Sequence, residues 1–512
     1  MKRNRFMYCA TTLLMGCCLF IASCSDDDEK IPNPNGDKNE GIENERVTTD
    51  EIFYANNFSH DILNLYYYWN KEIADDLNKL NPKTNTNPIK TVEEIRYHKG
   101  NKEIDKWTLL IDDMDKFKSG VAGVSKTYGY QPIVYRLAGS DELVGSVAFV
   151  YKDSPAAKVG LKRGDLILKI NDKDITKSNY TDLFYTESIK LTMGKAVFDE
   201  NGKGTITPTG KEINLTAIEM YEDPILKDSI YEVNGKKVGY LAYASFDLTS
   251  IPKLIAISKK FQQEGVKELI LDLRYNGGGY VITENAMASM YAPKAVVDAK
   301  EVYEIESYNE LVAKQLKKQG VDGITHFTTE YVVKGSTGIP MNYSTKDSNI
   351  GIDKVYGLIT KNSASASEAL LSGLMPYMDV ELIGDSSHGK YCTGWMISAK
   401  DAYKKVPEPI KNWGMYVMVS IYQNAKKETP CMPDGLQPDV VAEDNPFYSE
   451  QLGDVNEQML RAALTRAGKI YDDDKEASRT SMTGKYVEVD SKKNINFGKR
   501  ILLTEEMPIL GK

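Results

Sequence analysis

Three short segments of this chain each follow a predicted strand and carry residues suited to chemistry on a carbonyl group. The first is Asn-Ser-Ala-Ser-Ala-Ser-Glu-Ala at 362–369, the second is Leu-Arg-Tyr-Asn-Gly-Gly-Gly at 273–279, and the third is the pair Gly389-Lys390. A serine at a strand-to-helix turn lies among outward-pointing N–H groups, which together with the helix dipole suit a developing oxyanion. A run of glycines lets the backbone approach a ligand and expose its N–H groups.

A serine hydroxyl attacks a carbonyl only if an adjacent base takes its proton. A lysine with the ordinary pKa near 10.4 is neutral in roughly one molecule in a few thousand at pH 7. Burial must therefore lower the lysine pKa by about 2–3 units before Lys390 can serve as that base. Each segment alone has a purely structural explanation, because small residues also let helices pack on sheets and a lone lysine usually faces solvent.

Hydrophobic patterns place all three segments in an α/β domain. Predicted strands and helices alternate along it, with strands at 238–246, 268–273, 355–360, 380–383 and 416–423, and helices at 251–263, 283–291 and 366–375. This alternation favours a largely parallel sheet covered by helices. The polar segment 300–350, with a charged helical stretch, is expected to be an insertion or lid.

A second region begins where short alternating strands replace the helical pattern. Residues 153–171 read Asp-Ser-Pro-Ala-Ala-Lys-Val-Gly-Leu-Lys-Arg-Gly-Asp-Leu-Ile-Leu-Lys-Ile-Asn, with a proline suited to a first helical turn and glycines suited to its end. This run closely resembles a PDZ domain, and the resemblance covers 119–219. It implies that Tyr128, Gly129 and Tyr130 form a loop whose N–H groups capture a peptide C-terminus. A simple turn between strands is the alternative.

Taken together, these segments resemble the carboxyl-terminal processing, or tail-specific, serine peptidases. The sequence Pro-Asp-Gly-Leu-Gln-Pro-Asp-Val-Val at 433–441 adds to a resemblance that covers roughly 50–465. It implies a multidomain α/β fold with a ClpP/crotonase-like core, an inserted PDZ domain, and no metal or cofactor. In that family the middle serine is the nucleophile and the lysine lies 25 positions later, which implies Ser365 as nucleophile and Lys390 as general base.

The same resemblance implies supporting roles. Glu368, which can share a helical face with the nucleophile, would orient the lysine, and the N–H groups of Ala366 and Gly278 would form the oxyanion hole. Some members carry a glutamine four residues after the lysine, where this chain has Gly394. Orientation of the lysine then depends on Glu368, or activity is reduced. His388 is an alternative base, because serine–histidine pairs are the commoner arrangement.

The N-terminus has the pattern of a secretory signal. Three basic residues lie within the first five, and an apolar run over 6–22 ends in Ile-Ala-Ser-Cys at Cys24. This ending resembles a bacterial lipobox, which implies that Cys24 is lipidated. A second lipobox ending at Cys17 and an uncleaved signal anchor are the alternatives.

We therefore expect residues 1–24 to be a lipoprotein signal peptide and 25–49 a flexible tether in the bacterial cell envelope. The acidic run 26–29 resembles a tag for the outer membrane or its outer face, although a solvated tether explains it nearly as well. Only Cys392 and Cys431 lie outside the signal, and in an oxidising compartment they form either one disulfide or two buried thiols.

Composition limits the partners. A formal net charge of −9 over 512 residues argues against nucleic acid, and the four histidines show no metal-ligand spacing.

The length predicts several domains. We expect an N-terminal helical region at 50–118, the PDZ domain at 119–219, a catalytic domain at 220–445 and a C-terminal region at 446–512 with a helix over 455–467.

These observations favour a serine endopeptidase that cleaves unfolded or C-terminal polypeptide segments delivered by the PDZ domain. A second hypothesis is a peptide-binding lipoprotein that keeps the peptidase fold but barely cleaves, as Gly394 would allow. A third is an esterase that uses His388 as its base.

Overall fold

The computed structural model describes residues 46–471, except 138–140, 185, 199–203, 335–339, 446 and 448, together with 486–489. The predicted signal peptide, Cys24 and all but the last four residues of the predicted tether lie outside these residues. Within the described part of the chain, no helix combines the length and apolar character needed to cross a bilayer.

The N-terminal region is less helical than predicted. Its elements are α1 (Asp50–Tyr66), α2 (Pro88–Ile95), α3 (Met114–Val121), a 3₁₀ turn (Leu77–Leu80), and the strands β1 (His98–Lys99), β2 (Lys102–Glu103) and β3 (Leu109–Ile111). The prediction of a helical region at 50–118 is wrong over 98–111, where β1, β2 and β3 lie. There β3 pairs with the distant strand Gly414–Asn424, so a long-range partner decides its conformation.

The PDZ-like region contains a twisted antiparallel sheet. Its elements are β4 (Val124–Thr127), β5 (Tyr130–Leu137), β6 (Leu143–Val150), α4 (Pro155–Lys158), β7 (Leu166–Ile170), β8 (Lys173–Asp174), α5 (Tyr180–Leu183), β9 (Ser188–Phe198), β10 (Gly204–Thr216) and β11 (Ile218–Tyr221). The main sheet has the order β10-β9-β7-β6-β5, and β8 pairs with β7. Strands β4 and β11 pair with each other and connect this region to the rest of the chain.

The following α/β region has a parallel sheet, as predicted. Its first elements are β12 (Ile225–Val233), β13 (Lys236–Tyr243), α6 (Ile251–Gln263), β14 (Val266–Asp272), α7 (Val281–Tyr291), α8 (Lys294–Asp298), β15 (Val302–Tyr308), α9 (Glu310–Lys318), β16 (Ile324–His326), β17 (Glu330–Lys334), β18 (Pro340–Ser344) and β19 (Lys354–Ile359). The remaining elements are α10 (Ala366–Leu374), β20 (Asp379–Gly384), β21 (Cys392–Ser398), α11 (Ala399–Ala402), a 3₁₀ turn (Glu408–Ile410), β22 (Gly414–Asn424), β23 (Val440–Val441) and α12 (Gln458–Arg466). The sheet order is β12-β13-β14-β19-β20-β23, antiparallel only between β12 and β13. The last strand, β24 (Tyr486–Glu488), joins the PDZ-like sheet, where it pairs with β5.

A second, antiparallel sheet lies beside the first and was not predicted. Its order is β16-β15-β22-β21, with β3 also paired to β22. The segment predicted as an insertion or lid at 300–350 contributes β15, whose Tyr303 is fully buried, so that part belongs to the core. The other described elements of this segment are β16, α9 and the hairpin of β17 and β18, and α9 and the hairpin also carry buried side chains such as Leu316 and Tyr331.

A buried ionic network joins the PDZ-like region to the α/β region. Arg163 donates to Asp444 at 2.6 Å and also to the Tyr275 hydroxyl. Arg274 donates to Glu457 at 2.6 Å and to Asp272 at 2.8 Å. Moving either region away would leave buried charges without partners, which is costly, so this network holds the turn after β14 against the PDZ-like region.

Candidate active site

Ser365 lies at the turn between β19 and α10, at the carboxyl end of the parallel strands. Its side chain is fully buried. Its φ of 63° is the left-handed conformation, which costs a residue other than glycine about 1–3 kcal/mol and persists only where surrounding contacts enforce it. Such strain is typical of a functional position.

The three serines of the Ser-Ala-Ser-Ala-Ser segment have different surroundings. Ser363 Oγ donates to the Leu273 carbonyl at 2.8 Å, and Ser367 Oγ donates to the Asn276 carbonyl at 2.9 Å. These bonds tie the turn to the glycine-rich segment after β14. Ser365 Oγ, by contrast, has no hydrogen-bond partner among the described residues. Of these three hydroxyls, the Ser365 hydroxyl is therefore the one without a structural hydrogen bond.

Glu368 connects the serine turn to the lysine segment. Its Oε2 accepts the Ser365 N–H at 2.8 Å and the Lys390 N–H at 2.9 Å. Its Oε1 accepts the Gly389 N–H at 2.6 Å and the Ser387 hydroxyl at 2.5 Å. One buried carboxylate thus holds the backbones of both predicted catalytic residues side by side, through N–H groups rather than through the lysine ammonium.

Lys390 follows β20 and is fully buried. Its Nζ donates to the Tyr416 hydroxyl at 3.0 Å. The Nζ also lies 5.1 Å from the Tyr416 ring centroid and 5.8 Å from that of Trp107, distances at which aromatic faces attract a cation. Aromatic rings therefore make up much of its surroundings.

Burial is the main influence on the pKa of both ionisable groups. It lowers the pKa of Lys390 to about 8, although Cys392, Asp105 and Glu368 oppose that shift. It raises the pKa of Glu368 to about 7, although its four donors favour the carboxylate. A lysine with a pKa near 8 is neutral in about one molecule in ten at pH 7, enough for a general base.

The glycine segment 277–279 lies against the serine turn. A Cβ at Gly278 would stand 2.7 Å from the Ser365 Cβ and 3.1 Å from the Ala366 nitrogen. Ala366 opens α10, where N–H groups have no intrahelical partner. The Gly278 N–H donates to Asn276 Oδ1 at 2.9 Å, so an oxyanion must share or replace that bond. The predicted oxyanion roles stay predictions.

His388 makes no hydrogen bond to Ser365 Oγ in the described structure. Its Nδ1 lies 3.3 Å from the Lys361 carbonyl, and its ring contacts Trp107 edge-on. Its backbone N–H donates to the Ser363 carbonyl at 2.9 Å. These contacts hold His388 beside the site, and its role as an alternative base stays a prediction.

The predicted peptide-binding loop borders an open groove of about 880 Å³. Tyr128 and Tyr130 line it together with Phe184, which follows α5, and Phe117 from α3. Gly129 has a φ of 81°, and a Cβ there would stand 2.1 Å from the Ser154 Cβ, so the loop requires glycine. The groove is distant in sequence from Ser365 but shares Phe117 with the surroundings of Tyr416.

Several residues near the site were not predicted. Tyr416, Trp107 and Asn276 contact the predicted catalytic segments, and the Tyr422 hydroxyl donates to the Lys390 carbonyl at 2.8 Å. The sequence offers no signal for these aromatic residues, since they belong to ordinary apolar strands or loops. Asn276 was at least recognisable as the residue before three glycines.

Two further predictions concern cysteines and metals. Cys392 and Cys431 are both buried free thiols in this structure, which selects the second of the two alternatives. Among the described residues, no cluster of three or more His, Cys, Asp or Glu side chains is arranged to hold a metal ion.

Comparisons with known proteins show which families the two regions resemble. Residues 237–442 match the model of peptidase family S41, and residues 147–185 match that of the PDZ domain. The carboxy-terminal processing protease CtpA of Bacillus subtilis is 25% identical over 245 residues, which are 47% of this chain and 43% of that protein. The carboxyl-terminal-processing protease of Picosynechococcus is 24% identical over 317 residues, 61% of this chain and 64% of that protein.

The matches therefore span between about two fifths and just under two thirds of these curated relatives. A solved structure of a candidate S41 protease from Bacteroides fragilis is 22% identical, with a TM-score of 0.61, and covers 81% of this chain and 97% of that one. At that identity the likeness supports the fold alone. The α/β region is a peptidase family S41 domain, and a PDZ domain precedes it in the same chain.

Proposed function

We propose that this chain is a serine endopeptidase in which Ser365 is the nucleophile and Lys390 the general base. The observation that carries the proposal is the shared carboxylate oxygen of Glu368, which accepts the N–H groups of Ser365 and Lys390. Both side chains are enclosed, so burial keeps a useful fraction of the lysine neutral.

In the first step, neutral Lys390 takes the proton of Ser365 as its Oγ forms a bond to the substrate carbonyl carbon. The negative oxygen that develops is stabilised by the Ala366 N–H and a glycine N–H from 277–279. The lysine ammonium then returns its proton to the leaving amine as the C–N bond breaks. A water molecule, deprotonated by the same lysine, hydrolyses the ester and restores the serine.

We propose that the groove bordered by Tyr128 and Tyr130 delivers an unfolded or C-terminal segment as an added strand. Lys126 also lines this groove and pairs with Glu187 at 2.8 Å, so a terminal carboxylate would bind Lys126 by competing with Glu187. Strand β24 of the same chain already pairs with β5 at residues 135–137. A peptide that pairs along all of β5 must therefore displace β24. A peptide with a free C-terminus should bind more tightly than its amidated form in fluorescence polarisation, and equal affinities would exclude carboxylate capture.

We further propose that Cys24 is lipidated and anchors the protein in the bacterial cell envelope, at the outer membrane. The basic start, apolar run and Ile-Ala-Ser-Cys ending support this proposal. Mass spectrometry of the N-terminal peptide from membrane fractions should show a diacylated Cys24, and Cys24→Ser should release the protein from the membrane. An unmodified Cys24 in membrane-bound protein would refute lipidation.

The activity is tested with the full chain, purified in mild detergent, on unstructured casein. Ser365→Ala and Lys390→Ala should each abolish cleavage. Ser372→Ala is a matched control, because this serine lies on α10, the helix that follows Ser365, is also buried and also has a hydroxyl without a described partner. Casein cleavage by Ser365→Ala at the wild-type rate would refute the assignment. Loss of cleavage in His388→Ala with retention in Lys390→Ala would favour the esterase hypothesis.

One set of observations favours a peptide-binding protein with little activity. Ser365 Oγ has no partner among the described residues, Lys390 Nζ donates to Tyr416, and the Gly278 N–H donates to Asn276. A fluorophosphonate probe separates the two functions: a peptidase should become labelled at Ser365, whereas a binding protein should bind peptide without labelling.

A further inference from the structure

Gly394 and Tyr416 lie on neighbouring strands, and the Tyr416 ring fills the space where a side chain at position 394 would lie. In the pairing of β21 with β22, Met396 lies opposite Tyr416 and Gly394 opposite Met418, so Gly394 and Tyr416 are diagonal neighbours on one face. A Cβ at position 394 would stand 2.2 Å from the Tyr416 Cζ and 2.5 Å from its hydroxyl oxygen. No side chain at 394 can coexist with Tyr416 in this position.

The space left by Gly394 directs the Tyr416 hydroxyl toward Lys390. The Lys390 Nζ donates to that oxygen at 3.0 Å, and both side chains are at most 1% exposed. Phe117 packs against the Tyr416 ring with centroids 6.3 Å apart. A phenol oxygen, like the carbonyl of a glutamine side chain, accepts a hydrogen bond from an ammonium.

We propose that Tyr416 is a positioning residue for Lys390, supplying from the neighbouring strand the acceptor that a glutamine at 394 would otherwise provide. This inference rests on the proposed peptidase function. When Lys390 has taken the serine proton, one of its three N–H groups is held by Tyr416. Glu368 accepts the Lys390 backbone N–H, whereas Tyr416 accepts from the Lys390 ammonium itself. Tyr416 therefore helps to orient the side chain that exchanges protons with Ser365 Oγ and the leaving amine.

Other charged or titratable groups also face Lys390. Glu368 approaches from α10, Asp105 from the segment before β3, and Cys392 from the start of β21, two residues after the lysine. They are unchanged in a Tyr416→Phe variant, which removes only the acceptor oxygen and keeps the ring against Phe117. Loss of an acceptor destabilises the ammonium form, so the pKa of Lys390 should fall.

The first test compares Tyr416→Phe with wild type, with Tyr356→Phe as control because that hydroxyl bonds Glu268 at the opposite end of the parallel sheet. On the alkaline plateau of the pH profile, kcat should fall by about tenfold or more, since bonds to charged groups are worth at least that factor. KM should change little, and the acidic limb should shift to lower pH. If Tyr416 had only a structural role, the acidic limb of the kcat profile would stay at the wild-type pH.

A second pair of variants tests the replacement directly. Tyr416→Ala should lose at least as much kcat as Tyr416→Phe, and the double variant Gly394→Gln with Tyr416→Ala should recover part of it. Gly394→Gln alone should be impaired, because its side chain meets the Tyr416 ring. If the folded double variant recovers no kcat, Tyr416 does not take the place of a glutamine at position 394.

A readout independent of turnover separates this inference from the peptidase proposal. With lysines ¹³C-labelled and the Lys390 signal identified from Lys390→Ala, the titration midpoint of Lys390 should be lower in Tyr416→Phe than in wild type. If Ser365→Ala abolishes cleavage but Tyr416→Phe changes neither kcat nor the midpoint, the role of Tyr416 is overturned and the peptidase proposal stands. If wild type never cleaves and the midpoint still falls, the peptidase proposal fails while the contact is supported.

Discussion

Replacing Gly278 with alanine should damage both stability and catalysis, because this glycine backbone touches the nucleophile. Its φ of 103° costs any other residue about 1–3 kcal/mol. The added Cβ would stand 2.7 Å from the Ser365 Cβ, whereas carbon atoms pack at about 3.5–4.0 Å. Relief therefore requires a shift of about 1 Å, and overpacking of this kind adds about 1–3 kcal/mol.

Gly265→Ala is the matched control. Gly265 also has a positive φ, 74°, but a Cβ there would meet nothing within 4 Å. The Gly265→Ala variant should have a free energy of unfolding about 1–2 kcal/mol lower than wild type, from backbone strain alone. The difference in urea-unfolding free energy between the two variants then measures the contact with Ser365.

Turnover provides the second measurement. A displacement of about 1 Å at a reacting atom can lower the rate about 10²-fold, so Gly278→Ala should lose kcat/KM on casein by roughly that factor, while Gly265→Ala keeps it. Fluorophosphonate labelling of Ser365 should slow in parallel. If Gly278→Ala is no less stable than Gly265→Ala and cleaves at the wild-type rate, the placement of the glycine segment against Ser365 is wrong.

Three further outcomes are expected. Ser365→Ala should abolish cleavage without lowering the thermal midpoint, since the buried hydroxyl has no described partner to lose; a clear drop in the midpoint would indicate a structural role. Wild-type kcat/KM should rise with pH through about 8 and then level off, because protonated Lys390 cannot accept a proton; a flat profile from about pH 6 to 9 would exclude Lys390 as the base. Glu368→Gln should lower the unfolding free energy by about 3 kcal/mol and turnover at least 10²-fold, because an amide nitrogen replaces one oxygen that accepts two of the four bonds. Near-normal turnover by Glu368→Gln would show that the site does not depend on its carboxylate.

Local patterns were sufficient for much of the fold. The helix predicted at 251–263 has the bounds of α6, and the helix predicted at 366–375 matches α10 within one residue. Such segments are long, strongly apolar or marked by proline and glycine at their ends, so their conformation depends little on distant partners. The antiparallel sheet was missed because β3, β15, β21 and β22 come from separate parts of the chain.

The candidate site, like the fold, was predicted from the sequence only in part. Its segments each follow a strand of one parallel sheet, and the carboxyl ends of parallel strands meet at one edge. The sequence therefore indicated that Ser365, Lys390 and the glycines lie together. It also placed Glu368 near them, but as a partner of the lysine side chain, whereas the structure shows it bound to backbone N–H groups.

Strand-helix alternation and turn residues are local properties, and they were enough to predict the PDZ-like region before the α/β region, the parallel sheet and the segments that meet at its edge. The surroundings of Lys390 depend instead on tertiary packing. Whether Tyr416 reaches the lysine depends on the register of β21 against β22 and on the absence of a side chain at Gly394. Register and side-chain packing between distant segments arise from the whole core, so no local pattern encodes them.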